Sequence, residues 1–318
     1  MFDLIIVGAG PSGLSVAIEA KKNGLNYLVI EKGGIVHSIQ HFPAEMTFFS
    51  TPELLEIGNV PFTSAHMRPS RAEGLEYYTK VAEYYALNCH FFESVISINP
   101  SGSRFVVSTS QSTYQTKNVV LATGYYDHPN LLNIAGEHLP KVSHYYNEPY
   151  SFYHQNVMVI GAKNSAAIAA LELFRHGAHV TLVHRGETLS EKIKYWILPD
   201  IENRIKEQSI KALFNTQVME IKEKSVRVKN TDGEYDIEND FVFALIGYHP
   251  DYDFLRSCGI ALDTESYVPQ QNPDSFETNV KGIYVAGSII AGKNNNSIFI
   301  ENGRLHGKII IDALRKTL

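Results

Sequence analysis

Short apolar runs separated by a glycine-rich turn and a helical repeat organise the beginning of this chain. Residues 4–7 are all apolar and mostly β-branched, the pattern of a strand buried on both faces of a parallel sheet. The turn at residues 8–13 leads into residues 14–22, whose apolar positions follow a helical period. A second apolar strand, residues 27–30, ends on Glu31. The pattern predicts a strand–turn–helix–strand unit.

The same pattern recurs in the middle of the chain. Residues 157–160 form an apolar run, residues 161–166 a turn, residues 167–176 a helical repeat, and residues 180–183 a second apolar run that ends on His184. The interval from the first glycine of the turn to the residue that ends the second strand is 23 positions in both copies. Two copies of one supersecondary unit predict two dinucleotide-binding sites.

The remaining segments indicate that the first domain is completed by the end of the chain. A helix is predicted near residues 71–86, alternating strands near 105–109, 119–121 and 210–243, a strand and turn at 282–288, and a final helix after Asn302. We therefore predict an α/β fold with two Rossmann-like domains of three-layer ββα type. The first domain comprises residues 1–124 and 247–318, and the second, residues 125–246, is inserted into it.

The first turn has the residues that binding of a pyrophosphate requires. Gly8 permits the tight turn, Gly10 lets the backbone approach the phosphates, and Gly13 allows close packing of helix and strand. The N-terminus of the following helix offers free N–H groups to the phosphates. Glu31 is placed to accept a hydrogen bond from a ribose 2′-hydroxyl and would repel a 2′-phosphate.

The second turn differs in a way that favours NADPH. Lys163 and Ala166 replace the second and third glycines, and the acid at the end of the second strand is replaced by His184 and Arg185. A guanidinium at that position matches a 2′-phosphate. The residues predicted to bind NADPH are Gly161, Lys163, Asn164, Ser165, Ala166, His184, Arg185, Lys192 and Lys194.

Two later segments indicate FAD rather than a second nicotinamide at the first turn. Residues 122–124, directly after an apolar strand, and the turn at 282–288 resemble segments that close around FAD in flavoproteins with two dinucleotide domains. Ser288 departs from the commoner acidic ending of the second segment, although its hydroxyl can still form a hydrogen bond. The residues predicted to bind FAD are Gly8, Gly10, Pro11, Ser12, Gly13, Glu31, Lys32, Val95, Ala122, Thr123, Gly124, Gly287 and Ser288.

Composition excludes several other classes of protein. The 318 residues are 44% hydrophobic and 19% charged with a net charge of −6, which argues against a disordered chain and against an electrostatic nucleic-acid binder. No uncharged apolar run approaches the roughly 18 residues of a membrane helix, and no signal peptide is visible. Two distant cysteines exclude a disulfide framework, and the histidines lack metal-ligand spacing, so we predict a cytoplasmic protein without a metal.

The chain resembles the bacillithiol disulfide reductases, a branch of the thioredoxin-reductase-like flavoproteins. The segments that carry the resemblance, besides the glycine turns, are residues 31–36, 47–50, 55–58, 60–62, 163–166, 185–186, 193–194, 196–199 and 298–304. The resemblance implies one FAD per chain, NADPH as the electron donor, and a homodimer or homotetramer. It also implies that a small-molecule acceptor, a low-molecular-weight thiol disulfide such as bacillithiol disulfide, is reduced.

Two departures concern the path of the electrons. Thioredoxin reductases have a CxxC pair some twenty residues before the second turn, whereas residues 142–148 contain no cysteine here, which excludes a protein dithiol at that place. The bacillithiol disulfide reductases lack that pair too, but typically have a cysteine after the proline of the first turn, where this chain has Ser12. A serine cannot form a mixed disulfide, so no catalytic residue is assigned and the chemistry is predicted to reside on the flavin.

The sequence leaves other functions open. The missing CxxC also fits a flavin monooxygenase, a quinone or ferredoxin-type acceptor fits an NADPH-linked flavin, and a flavin-binding redox sensor is the alternative that is not an enzyme. Cys89 and Cys258 are interpreted as idle thiols. His37, His41 and His66 are candidate proton donors to an acceptor, although hydrogen-bonding or surface roles are favoured for them.

Overall fold

The computed structural model describes residues 1–294 and 297–316. The chain forms two compact units, which we call the first unit (residues 1–128 and 248–318) and the second unit (residues 129–247). The second unit therefore interrupts the first along the chain. Domain boundaries were predicted at 124/125 and 246/247, close to where the compact units change over.

Strands and helices alternate around the two glycine turns, and runs of strands occupy residues 89–143 and 211–244. The strands are β1 Phe2–Val7, β2 Tyr27–Ile30, β3 Cys89–His90, β4 Val95–Ser101, β5 Arg104–Thr109, β6 Thr113–Leu121, β7 Val142–Ser143, β8 Asn156–Ile160, β9 His179–Val183, β10 Lys211–Leu213, β11 Gln217–Ile221, β12 Ser225–Asn230, β13 Gly233–Glu238, β14 Phe241–Ala244 and β15 Ile283–Val285. The α-helices are α1 Pro11–Lys22, α2 His37–Gln40, α3 Pro52–Leu55, α4 Arg71–Tyr84, α5 Asn164–Arg175, α6 Leu198–Lys206, α7 Tyr252–Ser257, α8 Ile300–Gly303 and α9 His306–Leu314. Short 3₁₀ helices span Tyr150–Phe152 and Gly287–Ala291.

The first unit is built on a seven-stranded sheet in the order β3-β2-β1-β6-β5-β4, with β15 also paired to β6. Strands β1, β2, β3, β6 and β15 pair with one another in parallel, whereas β5 is antiparallel to β6 and to β4 and so begins an antiparallel extension. In β1, Leu4 and Ile6 lie in one core cluster while Ile5 and Val7 lie in another. Because alternate residues of a strand face opposite sides, the continuous apolar run of β1 reflects burial on both faces of the sheet.

Helix α1 begins earlier than the sequence pattern predicts. The predicted start was residue 14, but the helix begins at Pro11 with Gly10 as its N-cap. Proline is tolerated at the first helical position because its missing N–H has no partner within the helix. The earlier start places the free N–H groups of α1 directly at the glycine turn.

The second unit contains a parallel sheet in the order β10-β9-β8-β14-β7 and a separate antiparallel sheet, β11-β12-β13. Helix α5 begins at Asn164, three residues before the predicted start, and follows β8 directly through the second turn. A core cluster that includes Met158, Val183, Val218 and Val226 draws on both sheets. The predicted α/β class with parallel sheets is confirmed.

No helix within the described residues is both long and apolar enough to cross a membrane.

Candidate functional site

The turn between β1 and α1 in the first unit is shaped by close backbone contacts. Gly8 has a φ of +106°, and a Cβ atom there would lie 2.5 Å from the carbonyl oxygen of Ala122. A Cβ atom at Gly13 would lie 2.0 Å from the carbonyl oxygen of Gly8. A Cβ atom at Gly10 would meet no described protein atom within 4 Å. The turn is therefore closed on its inner side and open at Gly10, where a pyrophosphate would approach the start of α1.

Glu31 lies at the end of β2 and is 6% exposed. Its two carboxylate oxygens accept hydrogen bonds from the backbone N–H groups of Ala9, at 2.7 Å, and Gly33, at 3.0 Å. These contacts fix the carboxylate beside the glycine turn. Each carboxylate oxygen has a further lone pair, so the group retains the capacity to accept from a ribose hydroxyl.

Two segments distant in sequence complete the edge of the turn. The N–H of Ala122 donates to the carbonyl of Val7 across 2.8 Å, which places residues 122–124 at the end of β6 beside β1. A Cβ atom at Gly124 would lie 3.9 Å from the Ser288 hydroxyl oxygen. The structure thus brings Ala122, Thr123, Gly124, Gly287 and Ser288 to the same end of the parallel strands as the turn.

Ser12 occupies a space bounded by two glycines. A Cβ atom at Gly287 would lie 2.7 Å from the Ser12 hydroxyl oxygen, and one at Gly303 would lie 2.8 Å from it. The side chain in the first turn of α1 therefore faces the turn after β15 and the end of α8. No side chain larger than hydrogen fits at either glycine without displacing Ser12.

The remaining predicted FAD residues lie farther from the glycine turn. Lys32 pairs with Asp127 at 2.9 Å and is half exposed, and Val95 is the first residue of β4. No described contact brings Val95 to the turn. The opening at Gly10, the buried carboxylate of Glu31 and the small residues at 122–124 and 287–288 fit the pyrophosphate and ribose of FAD.

The second turn also needs glycine at its first position. Gly161 has a φ of +142°, and a Cβ atom there would lie 2.6 Å from the carbonyl oxygen of Leu245. Lys163 is the N-cap of α5 with a φ of −111°, an ordinary extended conformation, so lysine fits without strain. Its side chain is exposed, whereas Ala166 is fully buried. The third glycine is replaced by the smallest side chain because α5 packs closely on the sheet there.

Asn164 joins the second turn to the lysine-bearing segment. Its Nδ2 donates to the carbonyl of Lys192 at 3.2 Å, and its Oδ1 accepts from the N–H of Lys194 at 2.9 Å. The N–H of Ser190 also donates to the carbonyl of Ala162. Residues 190–194 are therefore tied to the start of α5, which brings both predicted lysines close to the turn.

His184 and Arg185 follow β9 as predicted. Burial, followed by the adjacent positive charge of Arg185, lowers the pKa of His184. Arg185 and Lys192 are exposed and form no salt bridge with any residue the structure describes, whereas Lys194 lies over the Trp196 ring at 5.9 Å. These two cations, of which Lys192 lies in the segment tied to the start of α5, suit an anionic group such as a 2′-phosphate.

Neither cysteine has the surroundings of a redox thiol. Burial raises the pKa of Cys89 to about 12 and that of Cys258 to about 11. The thiolate is the reactive form, so both are poor nucleophiles at neutral pH. Within the described ranges, no group of three or more His, Cys, Asp or Glu residues is placed to hold a metal ion.

The three predicted histidines differ in their surroundings. Burial lowers the pKa of His37, whose ring centroid lies 4.3 Å from that of His41. The His66 side chain is 75% exposed and lies 4.0 Å from Glu73. None of these contacts tests a role in proton transfer.

Sequence reasoning missed two contacts at the edge of the first turn. His306 is 6% exposed, and its Nδ1 accepts from the backbone N–H of Gly287. The Ser50 hydroxyl donates to the Glu301 carboxylate, which joins the segment before α3 to α8. His306, Ser50 and Glu301 lie within or beside segments that carry the family resemblance. The pairing of these distant segments, however, leaves no signal in the sequence.

Comparison with known proteins places the chain among flavin- and nicotinamide-linked enzymes. A family model described as pyridine nucleotide-disulphide oxidoreductase matches residues 5–287. The chain is 45% identical over 314 residues to a Bacillus subtilis protein named bacilliredoxin reductase Bdr. That alignment covers 98% of this chain and 97% of the relative.

Solved structures agree over the full length. A structure titled bacillithiol disulfide reductase Bdr (YpdA) from Bacillus cereus matches with a TM-score of 0.98 and 43% identity, covering 100% of this chain and 99% of that chain. Its counterpart from Staphylococcus aureus matches with a TM-score of 0.97 and 42% identity, covering 99% and 98% of the two chains.

Proposed function

The chain belongs to the pyridine nucleotide-disulphide oxidoreductase family of FAD- and NADPH-dependent enzymes, and we propose that its acceptor is a low-molecular-weight thiol disulfide such as bacillithiol disulfide. The overall reaction is NADPH plus a proton plus one disulfide, giving NADP⁺ and two thiols. The nicotinamide is oxidised, and the sulfur–sulfur bond accepts the two electrons and is broken.

We assign FAD to the first unit and NADPH to the second. Support for the first assignment is the opening at Gly10 beside the buried Glu31 carboxylate. Support for the second is the exposed Arg185, which follows the position equivalent to Glu31, together with the exposed Lys192 in the segment tied to the start of α5. An acid at the end of the second strand suits a free ribose hydroxyl, and a guanidinium suits a phosphorylated one.

In the proposed reaction, the residues of this chain bind and orient the two cofactors. The chemistry that FAD supplies when bound is acceptance of a hydride from a nicotinamide and delivery of electrons to the acceptor. The start of α1 would hold its pyrophosphate, Glu31 its ribose, and Arg185 the 2′-phosphate of NADPH. His306 holds the Gly287 turn by accepting its N–H.

The single observation that carries the proposal is the full-length likeness, at 42–45% identity, to proteins named as reductases of bacillithiol disulfide or of bacilliredoxin. It favours a disulfide acceptor over the monooxygenase, quinone or ferredoxin-type reductase, and sensor hypotheses. Because Ser12 has no thiol and both cysteines have raised pKa values, we propose that the disulfide is reduced without a cysteine of this chain as carrier.

Rapid mixing without oxygen tests the proposal. The FAD-loaded chain is mixed with NADPH or NADH while flavin bleaching is followed, and bacillithiol disulfide is then added. We expect faster bleaching by NADPH and return of the oxidised flavin spectrum with release of two thiols per NADPH. The matched variant is Ser12→Cys, which restores the thiol that the resemblance implies.

The possible results distinguish the candidate electron acceptors from one another. Reoxidation by bacillithiol disulfide in the wild type supports direct reduction, whereas reoxidation only in Ser12→Cys means that the thiol is required and contradicts the proposed path. Reoxidation only by a bacilliredoxin carrying a mixed disulfide would mean that the acceptor is a protein and not a small molecule. Rapid reoxidation only by oxygen, quinone or ferredoxin would discard the disulfide.

Assembly as a homodimer or homotetramer and location in the cytoplasm stay predictions. Light scattering during size-exclusion chromatography measures the first, and fractionation of cells of the source organism measures the second.

A further inference from the structure

Phe92 is an exposed aromatic residue in a strained backbone conformation. Its φ is +56°, in the left-handed region that bulky residues rarely adopt, and it is 73% exposed. An exposed side chain gains no burial that would offset this strain. Strain of this kind is maintained where the surrounding structure imposes it, often at a binding site.

Backbone hydrogen bonds hold Phe92 in this conformation. Its N–H donates to the carbonyl of Gly33 at 3.0 Å, and its carbonyl accepts from Nε2 of Gln111 at 2.9 Å. The N–H of the next residue, Glu93, donates to the carbonyl of Glu31 at 2.9 Å. Phe92 is therefore fixed beside the acid that ends β2.

The residue after Phe92 anchors the segment further. Glu93 is 2% exposed, and its carboxylate accepts from the Thr109 and Tyr114 hydroxyls and contacts Nδ1 of His90. This buried group keeps residues 90–93 from relaxing away from β2. The backbone conformation of Phe92, and with it the point from which the ring projects, is thus imposed by its neighbours.

The place of Phe92 indicates what its ring would meet. In a Rossmann unit the pyrophosphate lies at the start of the first helix and the acid after the second strand holds the adjoining ribose. The adenine base continues from that ribose, away from the phosphates. In the first unit, that direction leads from α1 past Glu31 toward the residues hydrogen-bonded to it, which include the Phe92 segment.

We propose that the Phe92 ring packs against the adenine of the FAD bound by the first unit, and that the strained backbone at this residue holds the ring ready for it. The inference rests on the proposed FAD site and names a binding residue for its adenine half. Stacking of a base on an aromatic side chain is strong enough to change affinity by about 5- to 100-fold.

Titration of the flavin-free full chain with FAD, ADP and FMN tests the inference. We expect Phe92→Ala to weaken FAD and ADP, which both contain adenine, by the same factor of about 5 to 100, and to leave FMN unchanged. Phe92→Trp, which keeps an aromatic face, should bind FAD as the wild type does. Tyr84→Ala, which removes an exposed aromatic residue from α4, is the matched control and should change nothing.

Phe92→Gly distinguishes loss of the aromatic ring from damage to the fold, because it removes the ring and also relieves the backbone strain. Glycine adopts a positive φ freely, so this variant should raise the melting temperature of the flavin-free chain while weakening FAD. Unchanged FAD affinity in Phe92→Ala, or an equal loss for FAD and FMN, would overturn the inference. A wild-type chain that binds no FAD would refute the proposed function itself, which is a distinct result.

Discussion

The Nδ1 atom of His306 accepts a hydrogen bond from the backbone N–H of Gly287, with 3.1 Å between the two nitrogen atoms. His306 begins α9 and Gly287 begins the turn after β15, so this contact joins two segments that flank the glycine turn. The ring also lies 4.3 Å from that of Phe276. An imidazole can accept at Nδ1 only when that nitrogen carries no proton, so the contact requires neutral His306 in the tautomer protonated at Nε2.

Stability should fall as this histidine becomes protonated in the unfolded chain. Burial lowers the pKa of His306 from 6.5 to about 4. Between these values the unfolded state binds a proton that the folded state refuses, so the free energy of unfolding falls with decreasing pH and levels off below about pH 4. The shift corresponds to a loss of at most about 3 kcal/mol.

Urea unfolding between pH 7 and pH 4 measures this effect. We expect His306→Gln, whose side-chain oxygen can still accept from Gly287, to show a shallower decline than the wild type. His66→Gln is the control, since the His66 side chain is 75% exposed. A decline as steep in His306→Gln as in the wild type would show that other groups cause it.

Alanine at two glycines of the first turn should have opposite consequences. At Gly13 the added methyl group would meet a backbone oxygen at 2.0 Å. Gly13→Ala should therefore lower the free energy of unfolding of the flavin-free chain by about 1–3 kcal/mol, and with it the melting temperature. At Gly10 it would meet no described atom within 4 Å, so Gly10→Ala should fold normally and bind FAD at least about tenfold more weakly. Calorimetry and FAD titration are applied to both variants, and each variant serves as the control for the other. Normal FAD affinity in Gly10→Ala would argue against a pyrophosphate at this turn.

Neither cysteine should be required or readily modified. With pKa values raised to about 12 for Cys89 and about 11 for Cys258, the thiolate fraction at pH 8 is about one thousandth or less. Iodoacetamide should therefore leave the folded chain unlabelled and fully active, and should add two labels after unfolding. Ser12→Cys is the informative comparison, because a thiol at the start of α1 is expected to have a lowered pKa and to react. Loss of wild-type activity on alkylation before unfolding would contradict the proposed path.

The residues that could be assigned from sequence are those whose type is dictated by local backbone geometry. Gly8 and Gly161 stand where a side chain would collide with a neighbouring strand end. Glu31 and His184 stand 23 positions after them, and Arg185 follows His184 directly. The apolar runs of β1 and β8 are equally local signals. The fold class and the cofactors were therefore predictable, and both are confirmed.

The remaining contacts depend on segments that only the folded chain brings together. The role of His306 requires the turn at Gly287, and the role of Asn164 requires the return of residues 190–194 to the start of α5. The strain at Phe92 depends on hydrogen bonds to Gly33 and Gln111, on either side of it in sequence. Such pairings leave no periodicity and no fixed spacing, so pattern analysis has nothing to detect.

Arg185 should decide between the two nicotinamide cofactors. It is exposed, has no salt bridge within the described part of the chain, and follows β9 where an acid would favour NADH. Charge-assisted hydrogen bonds to a 2′-phosphate contribute about 1.5–3 kcal/mol. Arg185→Ala should therefore lower kcat/KM for NADPH by about 10- to 100-fold through KM while leaving that for NADH unchanged.

The loss should also depend on salt, because the contact is exposed and its attraction is screened at high ionic strength. Steady-state kinetics with both cofactors at low and high salt measure this, and Arg315→Ala, which removes an exposed arginine after α9, is the matched control. Equal losses for NADPH and NADH in Arg185→Ala would mean that the guanidinium positions the second turn as a whole. Unchanged kinetics with both would remove Arg185 from the site and leave Lys192 and Lys194 as the cations to substitute next.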